Sequence, residues 1–223
     1  MLKQLISRYR QKARKKRAAL FFKYLKPDET QKIVDLGSQD GAHIASIIPF
    51  RKNVFIADIN ETYLNKGKEK YGFTPVLIPE SGKIPFPDKF FDIVFCSSVI
   101  EHVTVDKKDV TLFSSNENFA SISFQHQKEF ANEIMRIGKK YFVQTPYRYF
   151  PIESHTWLPF FIIFLPRTWL ISVIQFFNTW WIKSTIPDFN LLTIKQMKFL
   201  FPDAVIVTER SWGFIKSIMA VKS

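Results

Sequence analysis

At 223 residues with 46% apolar side chains, the chain has enough material for one α/β domain with a sizeable core, which excludes a disordered or low-complexity protein. Its single cysteine, Cys96, excludes a disulfide framework and a cysteine-based zinc site, and suits a reducing compartment such as the cytoplasm. The net charge of +12 is concentrated: ten of the 32 Lys and Arg residues fall within residues 1–26, which contain no acid, so the rest of the chain is close to neutral.

Residues 1–26 read as a basic helical arm with apolar positions at Leu2, Leu5, Ile6 and Tyr9, then Leu20, Phe21, Tyr24 and Leu25, closed by Pro27. Residues 27–223 form the body. Strand-like and helix-like segments then alternate, the mark of a mostly parallel sheet. KIVDL is an apolar strand and GAHIASIIPF a helix. NVFIAD is a second strand ending on Asp58, and NETYLNKGKEKYG a second helix. TPVLIP is a third strand. FDIVFCSS is a fourth, apolar throughout as in a strand covered on both faces. A polar stretch runs from His102 to Ser123 and reads as a loop. An amphipathic helix follows at 125–138, then the fifth strand KYFVQT. The aromatic segment 147–190 reads as an insertion on the acceptor side, ahead of the helix LLTIKQMKFLF and two closing strands, AVIVTE and FIKSIMAVK. The apolar run 159–182 is broken by Pro166 and Arg167 into pieces too short to cross a bilayer.

The first strand runs into a glycine loop, IVDLGSQDG. Gly37 permits a tight turn, Gly41 permits close approach of a ligand, and the free N–H groups of the following helix suit a carboxylate or phosphate. Asp58, 17 residues after Gly41, sits where an acid accepts both ribose hydroxyls of an adenosine, and Glu80 follows the third strand, where an acid meets an adenine amino group.

These features, with IPFPDKFFDIVFCSSVIEHV, carry a resemblance. Residues 33–145 and the closing strands resemble the class I S-adenosylmethionine-dependent methyltransferases, in particular the type 11 and 12 group, whose fourth strand reads PFPD-x-x-FD-x-V followed by EHV. The resemblance implies a Rossmann-like, seven-stranded, mostly parallel sheet flanked by helices, with S-adenosylmethionine across the carboxyl ends of the first four strands. It puts Asp35 and Gly37 in the family's first motif, Gly37, Ser38 and Gly41 at the methionine portion, Asp58 at the ribose, Glu80 at the adenine, and Ser97 and Ser98 beside the sulfonium. Gln39 departs from the pattern, standing where the family has a middle glycine. The loop is read as functional but adjusted, with Gln39 turned to solvent.

Methyl transfer requires alignment of the acceptor and, for a hydroxyl acceptor, a base. His102, in EHV, and His155, after the fifth strand, are the candidate catalytic residues. His102 has an alternative as a histidine that merely bonds the loop backbone, and His155 is a candidate because a strand-end loop is where function concentrates. The two lie far apart in sequence with no third spaced ligand, which predicts no metal site. His43 and His126 read as helix-surface residues. The aromatic insertion suits either a pocket for a large or lipid-like acceptor or a second small core. The acceptor reads as a small molecule, lipid or glycan intermediate. A nucleic-acid methyltransferase and a non-catalytic module stand as alternatives: the basic arm speaks for the first and Gln39 for the second. The arm suits an anionic membrane surface, nucleic acid, or simple packing on the body.

Overall fold

The computed structural model describes residues 2–79, 81–181 and 184–223, with side chains of the first helix from Gln11 onward. Its seven strands are β1 (Ile33–Leu36), β2 (Val54–Asp58), β3 (Thr74–Leu77), β4 (Phe91–Ser97), β5 (Gly138–Pro146), β6 (Val205–Ser211) and β7 (Phe214–Lys222). They form one sheet in the order β3-β2-β1-β4-β5-β7-β6. Pairing is parallel between β1 and β2, β1 and β4, and β2 and β3. β1 is central to this parallel part, and all four of its residues are buried. That explains the apolar Ile33, Val34 and Leu36, which have no solvent face to serve, and makes the buried Asp35 the exception. β6 and β7 are joined by Trp212–Gly213, both at positive φ, the conformation of a two-residue hairpin turn.

The helices are α1 (Leu2–Leu25), α2 (Ala42–Ala45), α3 (Glu61–Tyr71), α4 (Asn116–Ile137), α5 (Arg167–Asn178) and α6 (Ile194–Leu200). Two expectations are corrected. The helix expected from Gly41 to Phe50 is a single turn, α2. The helix expected at 125–138 starts nine residues earlier, at Asn116, inside the stretch read as a loop.

The chain divides into two compact units. Unit 1 holds residues 1–97, 133–143 and 221–223, and unit 2 holds residues 98–132 and 144–220. In unit 1 the basic helix α1 packs on the sheet through a stripe at fourfold spacing, Ala13, Phe21 and Leu25, all buried. The Phe21 ring meets Phe95 and Phe142 edge-on at 5.1 and 5.7 Å, while those two rings stack on each other. Such pairs add about 0.5–1.5 kcal/mol each beyond area burial. The cations Lys12, Arg14, Lys15 and Lys16 remain exposed.

The IPFPD segment before β4 is held by Arg136. Its guanidinium donates to the Ile84 and Phe86 carbonyls at 2.9 and 2.7 Å and pairs with Glu133 and Asp88. The proline-rich spelling thus fits a rigid lead into the strand, bent at Pro85–Phe86 and turned at Asp88–Lys89, with Arg136 fastening it.

Unit 2 has its own apolar cluster of Leu158, Ile162, Leu170, Ile174, Phe189 and Leu191, with Phe177 and Trp181 packed against it. Five other insertion aromatics are open: Phe161, Phe164, Trp169, Phe176 and Trp180 are all more than half exposed. Helix α5 therefore carries two apolar faces, one buried through Leu170, Ile171 and Ile174 and one open through Trp169 and Phe176. Among the described residues, no helix is long and apolar enough to cross a membrane.

Candidate functional site

In unit 1 the loop after β1 is shaped by an alternation. Gly37, Gln39 and Gly41 all take positive φ, at 70°, 52° and 71°. Gly37 N–H donates to the Ala57 carbonyl at 2.8 Å, tying the loop to β2. Gly41 has no room for a side chain, since an added Cβ would lie 2.9 Å from both Ile56 and Phe73. Gln39 adopts the left-handed conformation that glycine would take without strain, with its side chain exposed. Its backbone N–H donates to Asp58 Oδ2 at 2.9 Å, so the odd residue contributes through its main chain.

Asp58 closes β2, and its Oδ1 accepts from Asn60 N–H at 3.0 Å. Each carboxylate oxygen has a second lone-pair site, so two acceptor positions remain for a ligand. Asp35, at the centre of β1, is 3% exposed and its Oδ2 has no hydrogen-bond partner. Burial, reinforced by repulsion from Asp58, raises its pKa well above the usual carboxylate range. The Ser38 hydroxyl is likewise buried and unpartnered. A buried orphan oxygen is costly unless something bonds it, and here one sits in β1 and the other in the loop that follows it. The residues present therefore fit a ligand with its own donors and hydroxyls, as S-adenosylmethionine has. The helix N-terminus offers less than the sequence suggests, because α2 is one turn long and Ala42 N–H already donates to Asp40 at 3.1 Å.

Ser97 ends β4, partly buried. Ser98 is exposed at φ 59°, its N–H donating to the Gln144 carbonyl at 2.9 Å and its hydroxyl to the Gln144 side chain at 3.2 Å. Glu80 lies outside the described residues.

In unit 2 the fold brings His102 and His155 together, their rings perpendicular with centroids 4.7 Å apart. His102 Nδ1 lies 3.0 Å from Asp188 Oδ1. That bond fixes the ring and leaves Nε2 as the free nitrogen, on a side chain 33% exposed. His155 is buried, stacked on Phe189, with Nδ1 2.8 Å from Glu153 Oε1. Burial opposes its charge, but Glu101 and Glu153 outweigh that and hold its pKa up to about 9. An imidazole so held is a poor proton acceptor at neutral pH, which weighs against His155 as the base expected from the sequence.

Glu101 completes the group. It is fully buried, both carboxylate oxygens lack a hydrogen-bond partner, and Oε1 lies 3.8 Å from His155 Nε2. The sequence reading passed over Glu101 inside EHV, and with it Glu153 and Asp188. Glu101 was findable from its neighbour His102 on the same turn, and Glu153 from the ESH spacing. Nothing local marks Asp188.

Nearby in unit 2, a cleft is lined by Arg148, Arg167, Asn116, Phe119, Leu170 and Phe189. Arg167 is 2% exposed and lies over the Phe119 ring, 3.6 Å from its centroid; burial lowers its pKa to about 10. The other two histidines differ from each other. His126 Nδ1 bonds the Thr104 carbonyl at 2.7 Å, whereas His43, expected on a helix surface, is largely buried against Phe95 with Nε2 unpartnered.

Residues 34–140 match the model of the methyltransferase domain family. The chain is 32% identical over 83 residues to a ubiquinone/menaquinone biosynthesis C-methyltransferase, UbiE, of Vibrio vulnificus, covering 33% of this chain and 32% of the relative. It is 40% identical over 63 residues to UbiE of Paraburkholderia phytofirmans, covering 26% and 25%. The chain thus spans about a third of the length of the curated relatives it matches. Among solved structures, the PH0226 protein of Pyrococcus horikoshii superposes with a TM-score of 0.54 at 16% identity, covering 91% of this chain and 85% of that one. Magnesium protoporphyrin IX methyltransferase of Synechocystis, solved with bound SAH, gives 0.51 at 12% identity, covering 96% and 84%. These likenesses show the fold.

Proposed function

We propose, from the premise that this chain belongs to the class I S-adenosylmethionine-dependent methyltransferases through residues 34–140, that it transfers a methyl group to a small acceptor with an apolar body and a polar head. The observation that carries the reading is the glycine loop: three alternating positive-φ residues, with the orphaned oxygens of Asp35 and Ser38 and the half-satisfied Asp58 carboxylate alongside. S-adenosylmethionine supplies a methyl already activated by its sulfonium. The chain's task is to hold and align the partners, which supplies several kcal/mol of barrier lowering. Asp58 would accept the ribose hydroxyls. Gly37, Ser38 and Gly41 would line the methionine portion, with Ser97 and Ser98 as the resemblance's candidates for the sulfonium; its candidate for the adenine, Glu80, lies outside the described residues.

Acceptor-side chemistry falls to unit 2. The cleft lined by Arg148 and Arg167 among Phe119, Leu170 and Phe189 suits an apolar molecule bearing an acidic or carbonyl head. His102, oriented by Asp188, supplies the free nitrogen at this side. A small-molecule acceptor agrees with the biosynthetic role that the UbiE relatives are named for. The open face of α5 at Trp169 and Phe176, with Trp180 just beyond, suits the lipid–water interface, so a membrane-borne acceptor is favoured; in unit 1 the exposed cations of α1 by themselves suit an anionic surface.

Calorimetry with S-adenosylhomocysteine tests the cofactor site. Asp58→Ala should weaken binding by about 2–4 kcal/mol, a loss of roughly 30- to 1,000-fold. Equal affinity in wild type and variant would overturn the assignment. Flotation with anionic vesicles tests the membrane contact: the full chain should float, and a variant with the exposed Lys12, Arg14, Lys15 and Lys16 each replaced by Gln, which leaves the buried side of α1 intact, should be recovered less. If neither floats while both are recovered with nucleic acid, the nucleic-acid alternative replaces it.

A further inference from the structure

Glu101 is an anomaly that methyl transfer by itself does not explain. A carboxylate with no exposed surface and no hydrogen bond to either oxygen is among the costliest groups a fold can hold. Its neighbour across the gap, His155 Nε2, stands 3.8 Å from Oε1, too far for a hydrogen bond. Two donor atoms sharing an ion at 2.0–2.2 Å each are separated by about 3–4 Å, so this spacing is what a shared cation would produce.

The rest of the group is arranged in the same sense. One donor atom from each of Glu101, His102 and His155 lies within 4.8 Å of the others. Both histidines have Nδ1 on a carboxylate, His102 on Asp188 at 3.0 Å and His155 on Glu153 at 2.8 Å. That leaves Nε2 of each for the centre. Metal-binding histidines are held in this way, with the far ring nitrogen bonded to a carboxylate that fixes the ring and raises the basicity of the ligating nitrogen. Glu153 is itself pinned by the His155 and Thr156 N–H groups at 2.8 and 2.6 Å, and the Asn190 N–H holds the Glu101 carbonyl at 2.8 Å. Five side chains thus form two layers, three facing inward and two behind.

We propose that Glu101, His102 and His155 bind one divalent transition-metal ion, with Asp188 and Glu153 orienting the two histidines. Two imidazoles and one carboxylate suit zinc, iron, cobalt or manganese better than magnesium or calcium, which take oxygen ligands. Three protein ligands leave a coordination position open, and the partial exposure of His102 gives the ion a way in. Under the methyltransferase reading, on which this last role rests, the ion would hold an acceptor oxygen and lower the pKa of its hydroxyl, with His102 acting as a ligand.

The test needs no acceptor. Full-length protein, treated with chelator and dialysed, is titrated with cobalt(II) and followed by visible absorption, with magnesium compared by calorimetry. Wild type should bind one cobalt per chain and prefer it to magnesium. Glu101→Gln and His155→Ala should each weaken cobalt at least 100-fold, and Asp188→Asn by about 10- to 100-fold without changing the stoichiometry. Circular dichroism and S-adenosylhomocysteine binding accompany each variant. If His155→Ala does not fold, His102→Ala, at the partly exposed ligand, carries the comparison. No saturable cobalt in wild type, a preference for magnesium, or cobalt affinity within threefold of wild type in Glu101→Gln would overturn the proposal. Cobalt binding without S-adenosylhomocysteine binding would instead leave the metal site standing and remove the methyl-transfer reading.

Discussion

The two units bury charge by different means. In unit 1 the Asp58 carboxylate is met by backbone N–H groups of Gln39 and Asn60, and Asp35 is left with an open oxygen and a raised pKa. In unit 2 side-chain partners are added: His155 meets Glu153 and Glu101 and Asp188 meets His102, while main-chain groups also hold Glu153, through the His155 and Thr156 N–H groups, and Arg167, through the Pro187 carbonyl. Backbone groups are the same whatever the residue, so the unit 1 arrangement tolerates a substitution such as Gln39 provided the chain keeps its path. Side-chain pairs tolerate far less, because removing one partner strands the other in a poor dielectric. Under the proposed function, the cofactor would thus be held with main-chain help and the acceptor would be met by side chains.

The largest way to break this contrast is Glu153→Ala. It should destabilise the protein by about 3–5 kcal/mol in urea unfolding, because it leaves the buried His155 charge without its nearest partner. A loss below about 1 kcal/mol would mean that unit 2 does not depend on its pairs. His43 probes the unit 1 side. Burial, with Arg17 and Arg14 nearby, lowers its pKa to about 4. The folded protein therefore keeps it neutral while the unfolded chain takes a proton near pH 6.5. Stability should be full above pH 6.5 and decline as pH falls towards 4, by on the order of 2 kcal/mol. His43→Gln should flatten that decline in thermal unfolding followed across the same range. The smallest effect sharpens the main-chain argument: Gln39→Gly should raise stability by about 0.5–1 kcal/mol by relieving the left-handed residue. Because the N–H to Asp58 survives, affinity for S-adenosylhomocysteine should stay within threefold. A larger loss would show that the Gln39 side chain, and not its backbone, serves the site.

Much of unit 1 was legible in the sequence because its signals are local. The buried run IVDL, the glycine loop and the acid at the end of β2 all follow from strand burial and turn chemistry within a few residues. Unit 2 resisted for a physical reason visible in α4. Its buried face begins Phe119, Ser123 and Gln127 before turning apolar at Ala131 and Ile134. Gln127 is there to bond the Ile100 and Asn190 carbonyls, both at 2.9 Å. A helix that buries Ser123 between Phe119 and Gln127 shows little hydrophobic period there, so its first two turns read as a loop. The candidate site failed to show in full for a similar reason. His102 and Asp188 stand 86 positions apart, and Glu101 gains its meaning only when His155 is brought beside it.

Gly67 sits on α3, far along the chain from the loop, yet a Cβ placed there would lie 2.6 Å from the Asp40 carbonyl oxygen and 2.5 Å from Ile56. The smallest possible enlargement of an ordinary-looking helix position would therefore press directly on the main chain that precedes Gly41. The helix behaves as a gauge block: its surface sets how far the loop can sink towards β2, and with it the depth available above the loop. Tolerance to mutation at position 67 should then follow the size of whatever the loop accommodates, and not the needs of the helix that carries it.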